Sequence, residues 1–166
     1  MTTVGSWGYV LRCKLAVAIA RQGDDPLLLA HRIRHLGDAY YYARRLALAE
    51  PCLVEALSIY RRHEHRPSLD LANAIRSFAV LKHELGATDE AQGLWQEAHD
   101  LYLATNATAG VAESAGRLAL LAQHQGDLQR SRDCLVEAKA AANAARDRET
   151  LQYIGEVAAQ IESSRT

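Results

Sequence analysis

The stretch "ELGATDEAQGLWQEAH" (residues 84–99) aligns with "HQGDLQRSRDCLVEAK" (residues 124–139), and both have a glycine near the start and a Glu-Ala pair near the end. A third stretch, "YARRLALAEPCLVEAL" (residues 42–57), joins the alignment because its "CLVEA" recurs unchanged in the second. A pattern that recurs along a chain indicates a stacked structural unit, since each unit buries its apolar face against the next. The sequence therefore predicts a repeat protein.

Four alanines mark the register of the repeat: Ala16, Ala56, Ala98 and Ala138. By subtraction they lie 40, 42 and 40 residues apart. This spacing is in the range of repeats that contain two helices each.

Helical periodicity fills the segments between the breaks in the chain. Apolar residues recur three and four positions apart, for example at Leu46, Ala49, Leu53, Ala56, Leu57 and Tyr60. Breaks follow at residues 23–26, 62–67 and 104–110, and Gly86 and Gly126 mark turns inside the second and third segments. The chain is therefore predicted to be all-α.

Small residues recur where two helices of a pair would cross. They are Gly37, Ala79 and Ala119 on first helices, and Ala49, Ala91 and Ser131 on second helices. Helices whose axes lie about 8–10 Å apart need small side chains at their contact. Gly37 is therefore predicted to be a close-packing site rather than a hinge.

The composition excludes several classes of function. The formal net charge is −1, whereas nucleic-acid-binding proteins usually carry a basic excess. The apolar stretch at residues 9–20 is too short to span a bilayer and is interrupted by Arg12 and Lys14. The cysteines are Cys13, Cys52 and Cys134. Few, widely separated cysteines suit buried thiols in a reducing compartment, so we expect a cytoplasmic protein. The charge and the short apolar stretch lead us to expect neither nucleic-acid nor membrane partners.

The pattern "LGDAYY" (residues 36–41), followed by Ala49, Leu53 and Ala56, resembles the tetratricopeptide repeat. The second repeat carries the same pattern at Leu85, Gly86, Glu90, Ala91, Trp95 and Ala98. The period is longer than the common 34 residues, and in this the chain is similar to kinesin light chains and to many bacterial tetratricopeptide proteins.

The resemblance implies a right-handed superhelix of antiparallel helix pairs with about eight helices. We expect a single domain over residues 1–166. Its parts are an unpaired leading helix at 7–22, repeats at 27–62, 68–103 and 108–146, and a capping helix at 147–163.

Two features of the first repeat depart from the family pattern. Arg44 and Arg45 stand where the turn between paired helices usually carries glycine and aspartate. Pro51 is tolerated only near a helix start, so the second helix is expected to begin late, near Ala47–Ala49.

The resemblance also implies that a peptide binds on the concave face, which the first helix of each pair lines. Helical spacing places Ile33, Leu36, Gly37 and Tyr40 in the core and predicts which residues face the groove. These are His31, Arg34, Asp38, Tyr41 and Tyr42; Asn73, Arg76, Ser77, His83 and Glu84; and Glu113, Arg117, Gln123 and His124. Because arginine binds carboxylates bidentately, the groove is predicted to prefer a protein segment with acidic groups.

Two alternatives stay open at this point. The leading helix leaves an apolar face with Trp7, Val10 and Leu11, which favours a homodimer or another self-associated form. His31 and His35 lie four residues apart, a spacing that can share a metal ion, although no further ligand is fixed near them. The sequence contains no nucleotide-binding or nucleophile-elbow motif, so we predict neither an enzyme nor a cofactor.

Overall fold

The structure, a computed structural model, describes residues 3–163, with side chains described from Trp7 onward. Its eight helices over this range are α1 (Thr3–Ala20), α2 (Pro26–Tyr42), α3 (Leu46–Arg62), α4 (Ser68–Glu84), α5 (Thr88–Ala104), α6 (Thr108–His124), α7 (Leu128–Ala145) and α8 (Arg148–Ser163). The predicted all-α fold is confirmed for the described residues, which contain no strand. None of these helices combines the length and apolarity that a membrane crossing requires.

The chain divides into two compact units, Met1–Ala91 and Gln92–Thr166. In the first unit α2 packs against α1, α3 and α4, and α3 also packs against α4. In the second unit α6, α7 and α8 pack against one another. The single domain expected over residues 1–166 stays a prediction, and its ends, 1–2 and 164–166, lie outside the described residues.

The small residues predicted at helix crossings are buried. Gly37 lies so close to α3 that a Cβ atom added to it would be 2.6 Å from Cδ2 of Leu53. Ala49 and Ala56 of α3 are fully buried. The equivalent positions of the second unit, Ala119, Ser131 and Ala138, are also fully buried. The prediction that Gly37 is a close-packing site is therefore confirmed.

The turn after α2 has the same form as the turns after α4 and α6, although its sequence differs. Arg44 has φ 58°, and Gly86 and Gly126 at the equivalent positions have φ 79°. Each turn contains one backbone bond of 2.9 Å that spans the helix end: Arg45 N to Tyr40 O, Ala87 N to Lys82 O, and Asp127 N to Ala122 O. The departure at Arg44 therefore puts an arginine in a conformation that favours glycine and leaves the turn unchanged.

The expected late start of α3 is wrong. The helix begins at Leu46, the position equivalent to Thr88 at the start of α5. Pro51 lies inside the helix and is exposed. Because Ala49 and Leu53 on the buried face of α3 are fully packed, this packing holds the helix together around the proline.

The apolar face of the leading helix differs in detail from the prediction. Val10 is buried together with Cys13, Val17 and Ala20. Since residues three or four apart share one helix face, Val10 belongs to the side of α1 that packs in the fold. A different row is exposed, and it consists of Trp7, Leu11, Leu15 and Ile19.

Candidate functional site

The candidate surface of the first unit starts from α2. Asp25 caps this helix, because its carboxylate accepts bonds of 2.9 and 3.0 Å from the backbone N–H groups of Leu27 and Leu28. The residues predicted for the core face of α2, Ile33, Leu36, Gly37 and Tyr40, are all buried. The opposite side of the helix is therefore the one available to a ligand.

A chain of polar contacts runs along α2. Arg34 is only 7% exposed, and its guanidinium donates a 3.1 Å bond to Oδ2 of Asp38. A second guanidinium nitrogen lies 3.1 Å from Nε2 of His35, and that atom is 3.1 Å from Nε2 of His31. Since a guanidinium can only donate, Nε2 of His35 must accept and carries no proton.

The surroundings disfavour the charged form of both histidines. Burial, followed by the charge of Arg34, lowers the pKa of His31 and of His35. Asp70 opposes this shift of the pKa at His31, and Asp38 opposes it at His35. In the described part of the chain, no group of three or more His, Cys, Asp or Glu residues is arranged to hold a metal ion.

The lowered pKa values predict a pH-dependent stability. The unfolded chain binds protons at these histidines below about pH 6.5, whereas the folded chain resists protonation. The free energy of unfolding is therefore expected to fall as the pH decreases from about 7.5 to about 5.5. Urea unfolding at both pH values measures this, and a His31→Gln/His35→Gln variant should lose part of the pH dependence. The exposed pair His83→Gln/His124→Gln serves as control, and an unchanged slope in the first variant would contradict the assignment.

The three tyrosines at the end of α2 have three different environments. Tyr40 is buried, Tyr41 is half-buried, and Tyr42 is 74% exposed. The rings of Tyr41 and Tyr42 meet edge to face with their centroids 5.4 Å apart. The ring of Tyr42 therefore packs against Tyr41 and is otherwise largely exposed to solvent.

On α4, which packs beside α2, the predicted residues lie in unequal positions. Asn73 and Arg76 are half-buried, whereas His83 and Glu84 are exposed. Glu84 forms a 2.6 Å ion pair with Arg44 in the turn after α2. Ser77 is only 5% exposed and packs inside the unit, so neither Ser77 nor the paired and buried Arg34 presents its side chain on a surface.

In the second unit the predicted residues lie on α6. Glu113, Arg117 and Gln123 are half-buried, and His124 is exposed. The guanidinium carbon of Arg117 lies 5.9 Å from the ring centre of Trp95 and 5.3 Å from that of Tyr153. These cation–π contacts restrict the side chain of Arg117. Burial raises the pKa of Tyr153 to about 12.

In the second unit His99 contacts both Ser114 and Glu137, a group that the sequence pattern did not predict. Nδ1 of His99 is 3.0 Å from Oγ of Ser114, and Nε2 of His99 is 3.3 Å from Glu137. The hydroxyl of Ser114 donates to the carbonyl of Gly110 at 2.7 Å. Because His99 and Ser114 are both buried and the hydroxyl of Ser114 is bonded to the backbone of its own helix, we interpret the group as a contact that links α5, α6 and α7.

The cysteines are less uniform than predicted. Cys13 is buried, whereas Cys52 and Cys134 are half-buried. Burial raises the pKa of the Cys52 and Cys134 thiols above the ordinary value. Both side chains are therefore held in the less reactive thiol form.

No protein-family model and no curated protein matches the sequence. Among solved structures, the fold is similar to the crystal structure of BtubC (BKLC) from P. vanneervenii, with a TM-score of 0.66 and 18% sequence identity. The alignment covers 96% of this chain and 74% of that chain. At this identity the similarity concerns the fold, and it agrees with the resemblance of the sequence pattern. The chain therefore has a tetratricopeptide-like helical repeat fold.

Proposed function

We propose that this chain is a non-catalytic scaffold that binds an extended or helical segment of a partner protein on the surface formed by α2 and α4. The observation that carries the proposal is the pair Tyr41 and Tyr42, one ring half-buried and the other open to solvent. Tyrosines in such positions supply rigid, amphipathic contact area and are frequent at protein interfaces.

The other groups of this surface favour a polar rather than a fully apolar ligand. His31, Asp38 and Asn73 are half-buried on the same two helices, and His83 is exposed at the end of α4. Half-buried polar groups provide hydrogen bonds at a low cost in side-chain ordering. A protein segment with alternating polar and apolar side chains suits this mixture.

The preference for acidic groups is weaker than a count of arginines suggests. Asp38 already neutralises Arg34 inside the fold, and burial lowers the pKa of the two histidines beside it, which disfavours their charged form. On α4, the half-buried Arg76 is the cation that we propose contacts an acidic group on the partner. In the second unit Arg117 stands at the position of Ser77 rather than of Arg76, and it is half-buried.

Selection from a random peptide library on the purified chain tests this function. We expect selected peptides to bind a Tyr42→Ala variant about tenfold more weakly, the effect of one good aromatic contact. Val136→Ala shortens an exposed apolar side chain of α7, away from α2 and α4 in the sequence, and should leave the affinity unchanged. Equal affinities of the wild type and Tyr42→Ala would contradict the proposed site.

A further inference from the structure

Helix α1 is apolar on two opposite sides. Its packed side contains Val10, Cys13, Val17 and Ala20. Its other side carries a row with one residue per turn, Trp7, Leu11, Leu15 and Ile19, whose members are 46–67% exposed. A helix that is hydrophobic all round is normally covered on all sides.

The other repeats show that the scaffold does not require leucine at positions 11 and 15, whereas Ile19 stands where α3 and α5 have Ile59 and Leu101. Leu11 stands where α3, α5 and α7 have Pro51, Gly93 and Asp133, and Leu15 stands where they have Glu55, Glu97 and Glu137. At these two positions of the repeat, a leucine therefore occurs only in α1 and in none of the three other second helices. This difference points to a surface that another helix covers.

Ion pairs within each unit show in which direction a side chain at the position of Leu15 points. Glu55 of α3 contacts Arg21 just beyond α1 at 3.1 Å, and Glu137 of α7 contacts His99 of α5 at 3.3 Å. In both cases the side chain reaches back to the second helix of the preceding repeat. Leu15, the equivalent residue of α1, therefore faces the place of a preceding second helix.

The second unit contains a site of the matching shape. An open hollow of about 200 Å³ lies between α7 and α8 and is lined by Lys139, Ala142, Asn143, Leu151, Ile154 and Gly155. By register, Lys139 corresponds to His99 and Ile154 to Ser114, each 40 residues later. Because Glu137 of the following second helix docks on His99, the hollow is the place where one more second helix would pack.

The charges of the two surfaces are complementary. Residues 3–20 contain Arg12 and Lys14 and no acidic residue, whereas residues 148–163 contain three glutamates and Arg148. In the first repeat a Cβ on Gly37 would lie 3.4 Å from Cβ of Cys52. The same register places Arg12, which corresponds to Cys52, over Ala159, which corresponds to Gly37. Glu156 and Glu162 lie one turn on either side of Ala159.

We propose that copies of this chain associate head to tail, with α1 of one copy packed into the hollow between α7 and α8 of the next. Leu11, Leu15 and Ile19 are buried in this contact, and Arg12 pairs with the glutamates of α8. A two-fold dimer through α1 is disfavoured, because it places Arg12 and Lys14 near their own copies. Since the contact is heterologous, it builds rings or filaments.

Mixing two variants, each blocked at one end, tests the proposal. Leu15→Glu places a charge in the exposed row, and Gly155→Lys fills the hollow at a position where an added Cβ meets no atom within 4 Å. Sedimentation velocity of the wild type should show a mass that rises with concentration, and each variant alone should be monomeric. An equimolar mixture should form a one-to-one dimer that does not grow, because only one intact contact remains.

Three outcomes would overturn the proposal: a wild type that is monomeric at every concentration, a mixture that stays monomeric, or a Gly155→Lys variant that associates as the wild type does. Leu69→Glu, a change at another exposed leucine, is the control and should leave association unchanged. As a second measurement, Arg12→Glu should weaken association about tenfold, and Glu156→Arg/Glu162→Arg in the same chain should restore it.

Discussion

Gly37→Leu is expected to lower the free energy of unfolding by about 3 kcal/mol, because it forces a branched side chain into a filled helix contact. Even a Cβ at this position would lie 2.6 Å from Cδ2 and 2.7 Å from Cγ of Leu53, a side chain that is itself buried. Urea unfolding followed by circular dichroism measures the change.

Gly93→Leu is the matched control for this prediction. Gly93 is exposed inside α5, and an added Cβ meets no atom within 4 Å. Leucine has a higher helix propensity than glycine, so this variant should gain up to about 1 kcal/mol. If Gly37→Leu and Gly93→Leu change stability alike, the close approach of α2 and α3 is not what selects glycine at residue 37.

A double-mutant cycle separates the steric contact from general disruption of α2. Leu53→Ala alone should cost about 2–5 kcal/mol through the cavity that it leaves. In the Gly37→Leu background the same change should cost much less, because the new leucine fills that cavity. Strict additivity of the two effects would show that the residues do not compete for one space.

The packing of the repeats was predictable because side-chain size is visible in the sequence. Gly37, Ala49 and Ala56 recur with the period of the repeat, and size is the property that a helix crossing restricts. The turn at Arg44 was harder to predict. Arginine rarely adopts a left-handed conformation, so the residue type at position 44 does not predict this turn. The packing of α2 on α3 nevertheless gives the same turn that Gly86 forms after α4.

The candidate site was predicted less well. Periodicity indicates on which side of a helix a residue lies, but it does not indicate whether a polar side chain there is exposed or is buried with a partner. Arg34 and Ser77 lie at polar-side positions of their helices but are buried. Arg34 can be buried because Asp38, one turn later, compensates its charge, and no pattern of spacing distinguishes such a pair from an exposed one. Tyr42 is exposed and Tyr41 is half-buried, and their place in a binding groove stays a prediction.

Asp38→Ala is expected to lower the free energy of unfolding by about 3 kcal/mol, because it leaves the buried guanidinium of Arg34 without its counter-charge. The two side chains are 20% and 9% exposed and lie 3.1 Å apart. Nε of Arg34 is buried and already lacks a hydrogen-bond partner, so only the ring of His35 and the hydroxyl of Tyr60, which carry no compensating charge, would remain beside the guanidinium. Urea unfolding at about pH 7.5, where His31 and His35 are neutral, measures the effect.

Glu84→Ala is the control for Asp38→Ala, since it removes the partner of Arg44, whose side chain is 69% exposed. An exposed pair of this kind should contribute less than about 1 kcal/mol. Adding Arg34→Met to Asp38→Ala should recover most of the lost stability, because no unpaired charge then remains buried. If Asp38→Ala costs no more than Glu84→Ala, Arg34 can turn outward to solvent. The arginine would then be available to an acidic ligand, as the helical spacing of the sequence predicts.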